Sequence, residues 1–199
     1  MLKLLVISDI HSDLNNLSRV LNVAKEARCN LVICCGDLES LEGVEMLSRC
    51  GLKSFTVTGN MDWPEVSKVA SQKGISIENR VVEEGGYRFI GVSGLKHASS
   101  SVKAYELARS SEGPIILVSH HPPYGTKVDI ALSGVHIGSK YVRKIVEDCE
   151  VILLLAGHVH EARGVDKLGE TLIINPGPLF MGYYALVELP SLKYELLEL

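Results

Sequence analysis

Hydrophobic and polar residues alternate in blocks along the first third of the chain. Apolar runs of strand length occupy residues 2–8, 31–35 and 55–58. Residues 13–28 repeat apolar positions at helical spacing, and residues 39–49 form a shorter amphipathic stretch. Pro64 fits the first turn of a third helix. This alternation predicts βαβ units around a parallel sheet that is covered on both faces.

The pattern changes after Gly74, where turn residues divide the chain into short strand-like segments. Such turns lie at 85–86, 168–170 and 190–191. They predict hairpins and a strand-rich, antiparallel tail. Further strands are predicted at 115–119 and 151–156, and further helices at 101–112 and 139–148. No repeat, low-complexity segment or linker interrupts the sequence, so residues 1–199 are expected to form a single domain.

Composition narrows the class of protein. The chain has 199 residues, of which 46% are hydrophobic and 22% are charged, as in ordinary globular proteins. The formal net charge is −4 and basic residues are not clustered, so we expect no binding to duplex nucleic acid. The apolar runs are too short for a signal peptide or a membrane span, which predicts a cytoplasmic protein without a membrane partner. The five cysteines form no Cys-x-x-Cys pair and are expected to be reduced thiols.

Five apolar runs end in residues that can bind a metal ion. These residues are Asp9 and His11, Asp37, Asn60 and Asp62, His120 and His121, and His158 and His160. Ligands of open α/β sheets gather beyond the carboxyl ends of the strands, so these side chains are expected to share one cleft. Every histidine lies in these strand ends or in predicted loops, where imidazole groups can converge on a metal.

Each of these motifs also has a purely structural explanation when it is considered alone. Asp-x-His can cap a following helix, Gly-Asp is ordinary turn chemistry, and Gly-Asn-x-Asp can be a tight turn with a helix cap. The histidines of Gly-His-x-His can be solvated loop residues. On an extended segment, however, those two histidines face the same side and can serve adjacent ions. The ordered occurrence of all five motifs at strand ends favours a metal site.

As an ordered set, these residues resemble the calcineurin-like metallophosphoesterases, and two longer segments resemble the small prokaryotic phosphoesterases in particular. The segments are 120–125, which reads His-His-Pro-Pro-Tyr-Gly, and 157–178, which runs from Gly-His-Val-His to Asn-Pro-Gly-Pro. The resemblance spans residues 3–188. It implies an α/β fold of four layers, an αββα sandwich with two mixed β-sheets.

The resemblance also implies a binuclear metal centre. One ion would be held by Asp9, His11, Asp37 and His160, and the second by Asp37, Asn60, His120 and His158, with Asp37 shared. Two divalent cations are expected. Mn²⁺ is the first choice because it is usual in this family, and Fe, Zn²⁺, Ni²⁺ and Co²⁺ also accept these ligand types. A hydroxide that bridges the ions would attack phosphorus directly. Asn60 would also donate a hydrogen bond to a phosphoryl oxygen, and Asp62 would orient a ligand histidine or cap the next helix.

The chain departs from the family pattern at Met61. Many relatives have a histidine there that protonates the leaving oxygen or holds the phosphate, and methionine can do neither. We therefore expect esters with good leaving groups, or a different acid. His121 and His136 are the candidates, with an ordinary loop histidine as the alternative for each. Met61 and the resemblance to the small prokaryotic phosphoesterases together predict that phosphodiesters are preferred over phosphomonoesters as substrates.

Two other functions compete with that of a small-molecule phosphoesterase. The retromer scaffold subunit shows that this fold can serve protein–protein contacts with a compromised metal site, but the complete ligand set here favours an enzyme. Nucleases of the superfamily carry additional domains that face nucleic acid, and the negative net charge argues against such a role. The expected partner is therefore a small phosphoester, which can be nucleotide-like. The sequence is also compatible with an oligomer.

Overall fold

The computed structural model, which describes residues 1–199, contains eleven β-strands and five α-helices. The strands are β1 (Leu2–Ile7), β2 (Leu31–Cys34), β3 (Lys53–Thr56), β4 (Val81–Glu84), β5 (Tyr87–Val92), β6 (Ile115–Ser119), β7 (Val151–Leu155), β8 (Gly164–Leu168), β9 (Thr171–Asn175), β10 (Tyr183–Leu189) and β11 (Lys193–Glu198). The helices are α1 (Leu14–Glu26), α2 (Leu41–Arg49), α3 (Pro64–Gln72), α4 (His97–Arg109) and α5 (Lys140–Asp148).

The first sheet has the strand order β11-β10-β1-β2-β3. Strands β1, β2 and β3 are parallel, as their alternation with helices predicts, and β10 pairs with β1 in the antiparallel direction. Side chains alternate across the sheet, because successive residues of a strand point to opposite faces. Leu5 and Ile7 of β1 pack with helices α1, α2 and α3, whereas Leu4 and Val6 pack on the other side.

The second sheet has the order β4-β5-β6-β7-β9-β8 and is also mixed. Helices α4 and α5 cover its outer face through residues such as Ala104 and Ile145. Its inner face packs directly on the first sheet, where Phe55 and Phe89 meet edge to face with ring centroids 5.2 Å apart. The result is the four-layer αββα sandwich with two mixed sheets that the resemblance implies.

Several predicted elements differ from the structure at their ends or in their pairing. Helix α4 begins at His97, four residues earlier than predicted, and ends at Arg109. Helix α2 begins at Leu41 rather than residue 39, because the Ser40 side chain accepts a hydrogen bond from Gly43 N and caps it. The tail is not wholly antiparallel, since β9 pairs with β7 in the parallel direction.

None of the five helices is long and apolar enough to cross a membrane.

Candidate metal centre

The carboxyl ends of strands from both sheets meet at one edge of the sandwich. Backbone hydrogen bonds hold the loops there against one another: Asp9 N donates to Gly36 O at 3.0 Å, and Gly157 N donates to His120 O at 3.0 Å. Asp9, Asp37 and His120 are buried at this edge, with 1%, 2% and 0% of their surface exposed. Because polar groups this deeply buried need partners, the edge is a site of concentrated charge rather than a set of solvated turns.

One cluster at this edge consists of Asp9, His11 and His160. The Nε2 atom of His160 lies 3.3 Å from Asp9 Oδ1 and 3.3 Å from His11 Nε2. Burial alone raises the pKa of Asp9, but the contact with His160 and the charge of His120 outweigh it and hold the pKa below its ordinary value. A carboxylate and two imidazole nitrogens therefore converge within ligand distance of a common point.

A second cluster surrounds the ring of His120. Its Nδ1 lies 3.0 Å from the carbonyl oxygen of Cys35, which can only accept, so Nδ1 carries a proton. Its Nε2 lies 3.0 Å from Asn60 Oδ1 and 3.3 Å from Asp37 Oδ2. A neutral imidazole has one N–H only, so the oxygen atoms around Nε2 call for a cation there, either a second proton or a metal ion.

The electrostatics of this cluster agree with that requirement. Burial lowers the pKa of His120, but the neighbouring carboxylates of Asp37 and Asp9 outweigh it and raise the pKa above its ordinary value. Burial raises the pKa of Asp37, but the hydrogen bond and charge of His120 bring it below its ordinary value. Positive charge at this position is thus stabilised by the surrounding protein.

His158 adjoins the second cluster but is not among the closest groups of potential ligands. Its backbone N–H donates to Asp9 Oδ2 at 3.1 Å, and its ring centroid lies 5.0 Å from that of His120. Burial, followed by the charge of His120, lowers the pKa of His158 to about 4, so its ring is neutral near pH 7. A neutral ring retains a nitrogen lone pair that can bind a metal ion.

Strained backbone is concentrated at the same edge. Nine non-glycine residues have positive φ, and six of them are Asp9, His11, Ser12, Asp37, Glu39 and His158. Each such conformation costs about 1–2 kcal/mol relative to the right-handed region. Strain of this kind persists where a functional site dictates the direction of side chains.

Sequence reasoning missed Glu39, which it assigned to the start of a helix. Glu39 Oε1 lies 2.5 Å from His11 Nδ1, so a carboxylate holds the ring of a candidate ligand in one orientation. The same carboxylate completes a third group of potential ligands with His11 and Asp37. Its position two residues after Asp37 was a usable signal, because both belong to the loop that follows β2.

Asp62 has neither of the two contacts predicted for it. Its carboxylate accepts hydrogen bonds from Glu39 N at 2.7 Å and Gly59 N at 2.8 Å, so it joins the loops that follow β2 and β3. Helix α3 begins after Trp63 and has no side-chain cap. Burial raises the pKa of Asp62 to about 6. Asp62 therefore fixes the loops that carry Asp37 and Asn60.

The candidate acids His121 and His136 lie in different surroundings. The ring of His121 packs between those of His97 and His158, with centroids 4.3 Å and 4.4 Å away. Burial and the neighbouring His120 and His158 lower the pKa of His121 to about 2, so its ring is neutral at pH 7 and is a poor proton donor. His136 instead pairs with Asp129, whose Oδ1 lies 2.6 Å from Nδ1 of the ring.

Comparisons with known proteins place this geometry in a family. The model of the calcineurin-like phosphoesterase superfamily domain matches residues 2–189. An uncharacterized protein of Methanocaldococcus jannaschii is 28% identical, over 89% of this chain and 88% of that protein. The structure of TT1561 of Thermus thermophilus is similar with a TM-score of 0.81 at 20% identity, over 98% of both chains. A structure described as a novel archaeal phosphodiesterase has a TM-score of 0.67 at 17% identity, over 100% of both chains. Because the family match covers nearly the whole length, the chain belongs to the calcineurin-like phosphoesterase superfamily.

Proposed function

We propose that this protein is a metal-dependent phosphoesterase that uses two divalent cations to hydrolyse small phosphoesters, with phosphodiesters preferred over phosphomonoesters. The observation that carries the proposal is the surroundings of His120 Nε2, which faces oxygens of Asn60 and Asp37 while Nδ1 is committed to a carbonyl group. This arrangement calls for a cation in a buried site. Membership of the superfamily supplies the reaction class.

The donor set fits a pair of divalent cations. Asp9, His11 and His160 form one group of ligand atoms, and Asp9, Asp37 and His120 form another, with ligand atoms of each group within 4.8 Å of one another. We assign Asp9, His11, Asp37 and His160 to one ion, and Asp37, Asn60, His120 and His158 to the other. Oxygen and nitrogen ligands without thiolate suit Mn²⁺, our first choice, as well as Fe, Zn²⁺, Ni²⁺ and Co²⁺. When bound, such a pair supplies Lewis acidity and lowers the pKa of water.

The residues around the cations have separate tasks in this proposal. The amide of Asn60 has an N–H₂ group as well as the oxygen that faces His120, so it donates a hydrogen bond to a phosphoryl oxygen and orients the substrate. Asp37 accepts a hydrogen bond from Met61 N at 2.8 Å, which fixes one carboxylate oxygen and leaves the other toward His120. Glu39 holds the ring of His11 in orientation.

The preference for diesters rests on Met61. A phosphomonoester carries more negative charge and gains more from a histidine beside the phosphate, and methionine offers neither a proton nor a hydrogen bond at that position. The presence of an archaeal phosphodiesterase with this fold among solved structures agrees with the preference.

Hydrolysis of two chromogenic esters tests the proposal. We expect purified protein with added Mn²⁺ to hydrolyse bis-(p-nitrophenyl) phosphate with a higher kcat/KM than p-nitrophenyl phosphate, and metal analysis to find two ions per chain. Asp37→Asn should abolish turnover while circular dichroism remains that of the folded protein. Asp148→Asn, a change on the exposed face of α5, is the matched control and should retain activity.

Full activity in a strong chelator, or in Asp37→Asn, would refute the metal-dependent mechanism. A protein that binds no metal and hydrolyses neither ester would favour the scaffold function.

A further inference from the structure

A second group of side chains lines a pocket beside the candidate centre. The pocket has a volume of about 430 Å³, which is within the range of sites for small organic ligands. Its lining includes His97, His121, Tyr124, His136, Lys140 and Tyr141. Because the ring of His121 also packs on that of His158, with centroids 4.4 Å apart, the pocket adjoins the proposed metal site. A ligand with phosphate at the centre can therefore extend into it.

Aromatic rings dominate this pocket. Five of its nine lining residues are histidine or tyrosine. Tyr124 and Tyr141 are 37% and 53% exposed, so part of each side chain is accessible to a ligand. Lys140 Nζ lies over one face of the Tyr124 ring, 5.2 Å from its centroid, and adds a positive charge to the pocket lining. Stacked rings are the usual way in which such surfaces bind a flat heterocycle.

One polar side chain of the pocket has a fixed orientation. Asp129, which is fully buried, accepts hydrogen bonds from the backbone amides of Gly125, Thr126 and Gly138, and from His136. Since a carboxylate only accepts, Nδ1 of His136 carries the proton and Nε2 remains as the other polar atom of the ring. This His136 is oriented by a buried partner, as residues that determine specificity commonly are.

The chain connection that carries Tyr124 and His136 is long. Residues 120–139 join β6 to α5, and within them Asp129 organises both ends of the loop through Gly125 and Gly138. Irregular connections of this length in compact domains are uncommon and are usually functional. A loop that contributes Tyr124 and His136 to an aromatic pocket next to the centre fits a role in choosing the substrate.

We propose that this pocket is the subsite for a flat aromatic ring of the substrate, a nucleobase or an aryl group. Tyr124 and Tyr141 supply the stacking surfaces, and His136 hydrogen-bonds to the edge of the ring. The inference rests on the proposed function, because the phosphate of the same ligand must lie at the candidate metal centre.

Titration calorimetry with the full chain tests the subsite. Mn²⁺ is present throughout, and two phosphate compounds are the titrants. The probes are adenosine 5′-monophosphate and ribose 5-phosphate, which share sugar and phosphate and differ in the adenine ring, under conditions in which chromatography shows no hydrolysis. We expect the adenosine compound to bind about tenfold more tightly. Tyr141→Ala should remove this difference by weakening only the adenosine compound, and His136→Ala should reduce it. Val135→Ala, in the same loop but outside the pocket, is the matched control and should preserve it.

The outcomes separate the subsite from the catalytic proposal. Equal affinity of the two probes for the unmodified protein would overturn the aromatic subsite, even if both chromogenic esters are hydrolysed. Equal weakening of both probes by Tyr141→Ala would also overturn it, since that result indicates a general effect on phosphate binding. A ring-dependent affinity in a protein without hydrolytic activity would support the subsite and refute the proposed function.

Discussion

At position 61 the backbone and the side chain have separate roles. The backbone N–H of Met61 donates to Asp37 at 2.8 Å, while the side chain is 56% exposed beside Asn60. A histidine can therefore replace the methionine without loss of the backbone contact. We expect Met61→His to raise phosphomonoester hydrolysis by about a hundredfold, because it restores a proton donor. Steady-state kinetics with p-nitrophenyl phosphate would measure this.

The control for this substitution is Met61→Gln, which has similar length but no titratable proton. It should leave the rate for the monoester low. If Met61→His leaves that rate unchanged as well, the missing histidine does not limit the reaction, and the preference for diesters needs another cause.

Glu39 shows how a residue outside the predicted ligand set can control metal affinity. Its carboxylate lies 2.5 Å from His11 Nδ1, and such contacts fix the orientation and basicity of a ligand ring. We expect Glu39→Gln to weaken Mn²⁺ binding by about 10- to 100-fold, measured by titration calorimetry. Glu42→Gln, an exposed change in the first turn of α2, should bind as the unmodified protein does. Identical affinities in both variants would argue against His11 as a ligand.

At the scale of elements, the loops after β1 and β7 approach so closely that only glycine fits between them. A Cβ atom at Gly157 would lie 1.7 Å from Ser8 Oγ and 2.6 Å from Asp9 Oδ2. Gly157→Ala must therefore push the two loops apart. We expect it to lower the free energy of unfolding by about 2 kcal/mol in urea denaturation and to weaken Mn²⁺ binding.

Gly164→Ala is the matched control for that change. The nearest atom to its added Cβ would be 3.8 Å away, and the residue does not have positive φ. It should have little effect on either measurement. Normal Mn²⁺ affinity in Gly157→Ala would show that Asp9 need not keep its present position for metal to bind.

The ends of elements were harder to predict than their existence. Helix α1 follows the predicted apolar spacing, with Leu17, Val20, Leu21 and Ala24 buried. Helix α4 begins earlier than predicted because its first turn carries His97 and small polar residues, which give no apolar periodicity. For Glu39 the sequence signals only a place near the site, in the loop after β2; its contact with His11 depends on how two loops fold against each other and not on spacing along the chain.

For the molecule as a whole, the rule that ligands gather at the carboxyl ends of strands was sufficient to group the candidate residues. It works because β1, β2 and β3 are parallel and end at the same edge, as do β6 and β7. Periodicity alone did not predict that two sheets pack face to face. An apolar strand face looks the same in sequence whether a helix or a second sheet covers it, and here only the family resemblance distinguished the two.

Both sheets contribute residues to the candidate centre, and these residues are synthesised at very different times. Asp9 Oδ1 and His160 Nε2, which lie 3.3 Å apart, belong to residues that are separated by 151 positions in the sequence. β1 also pairs with β10, close to the carboxyl terminus. A nascent chain emerging from the ribosome therefore presents Asp9, His11 and Asp37 long before His120, His158 and His160. A cation can therefore meet all of its proposed ligands only after the chain has been synthesised as far as His160 and the two sheets have packed together.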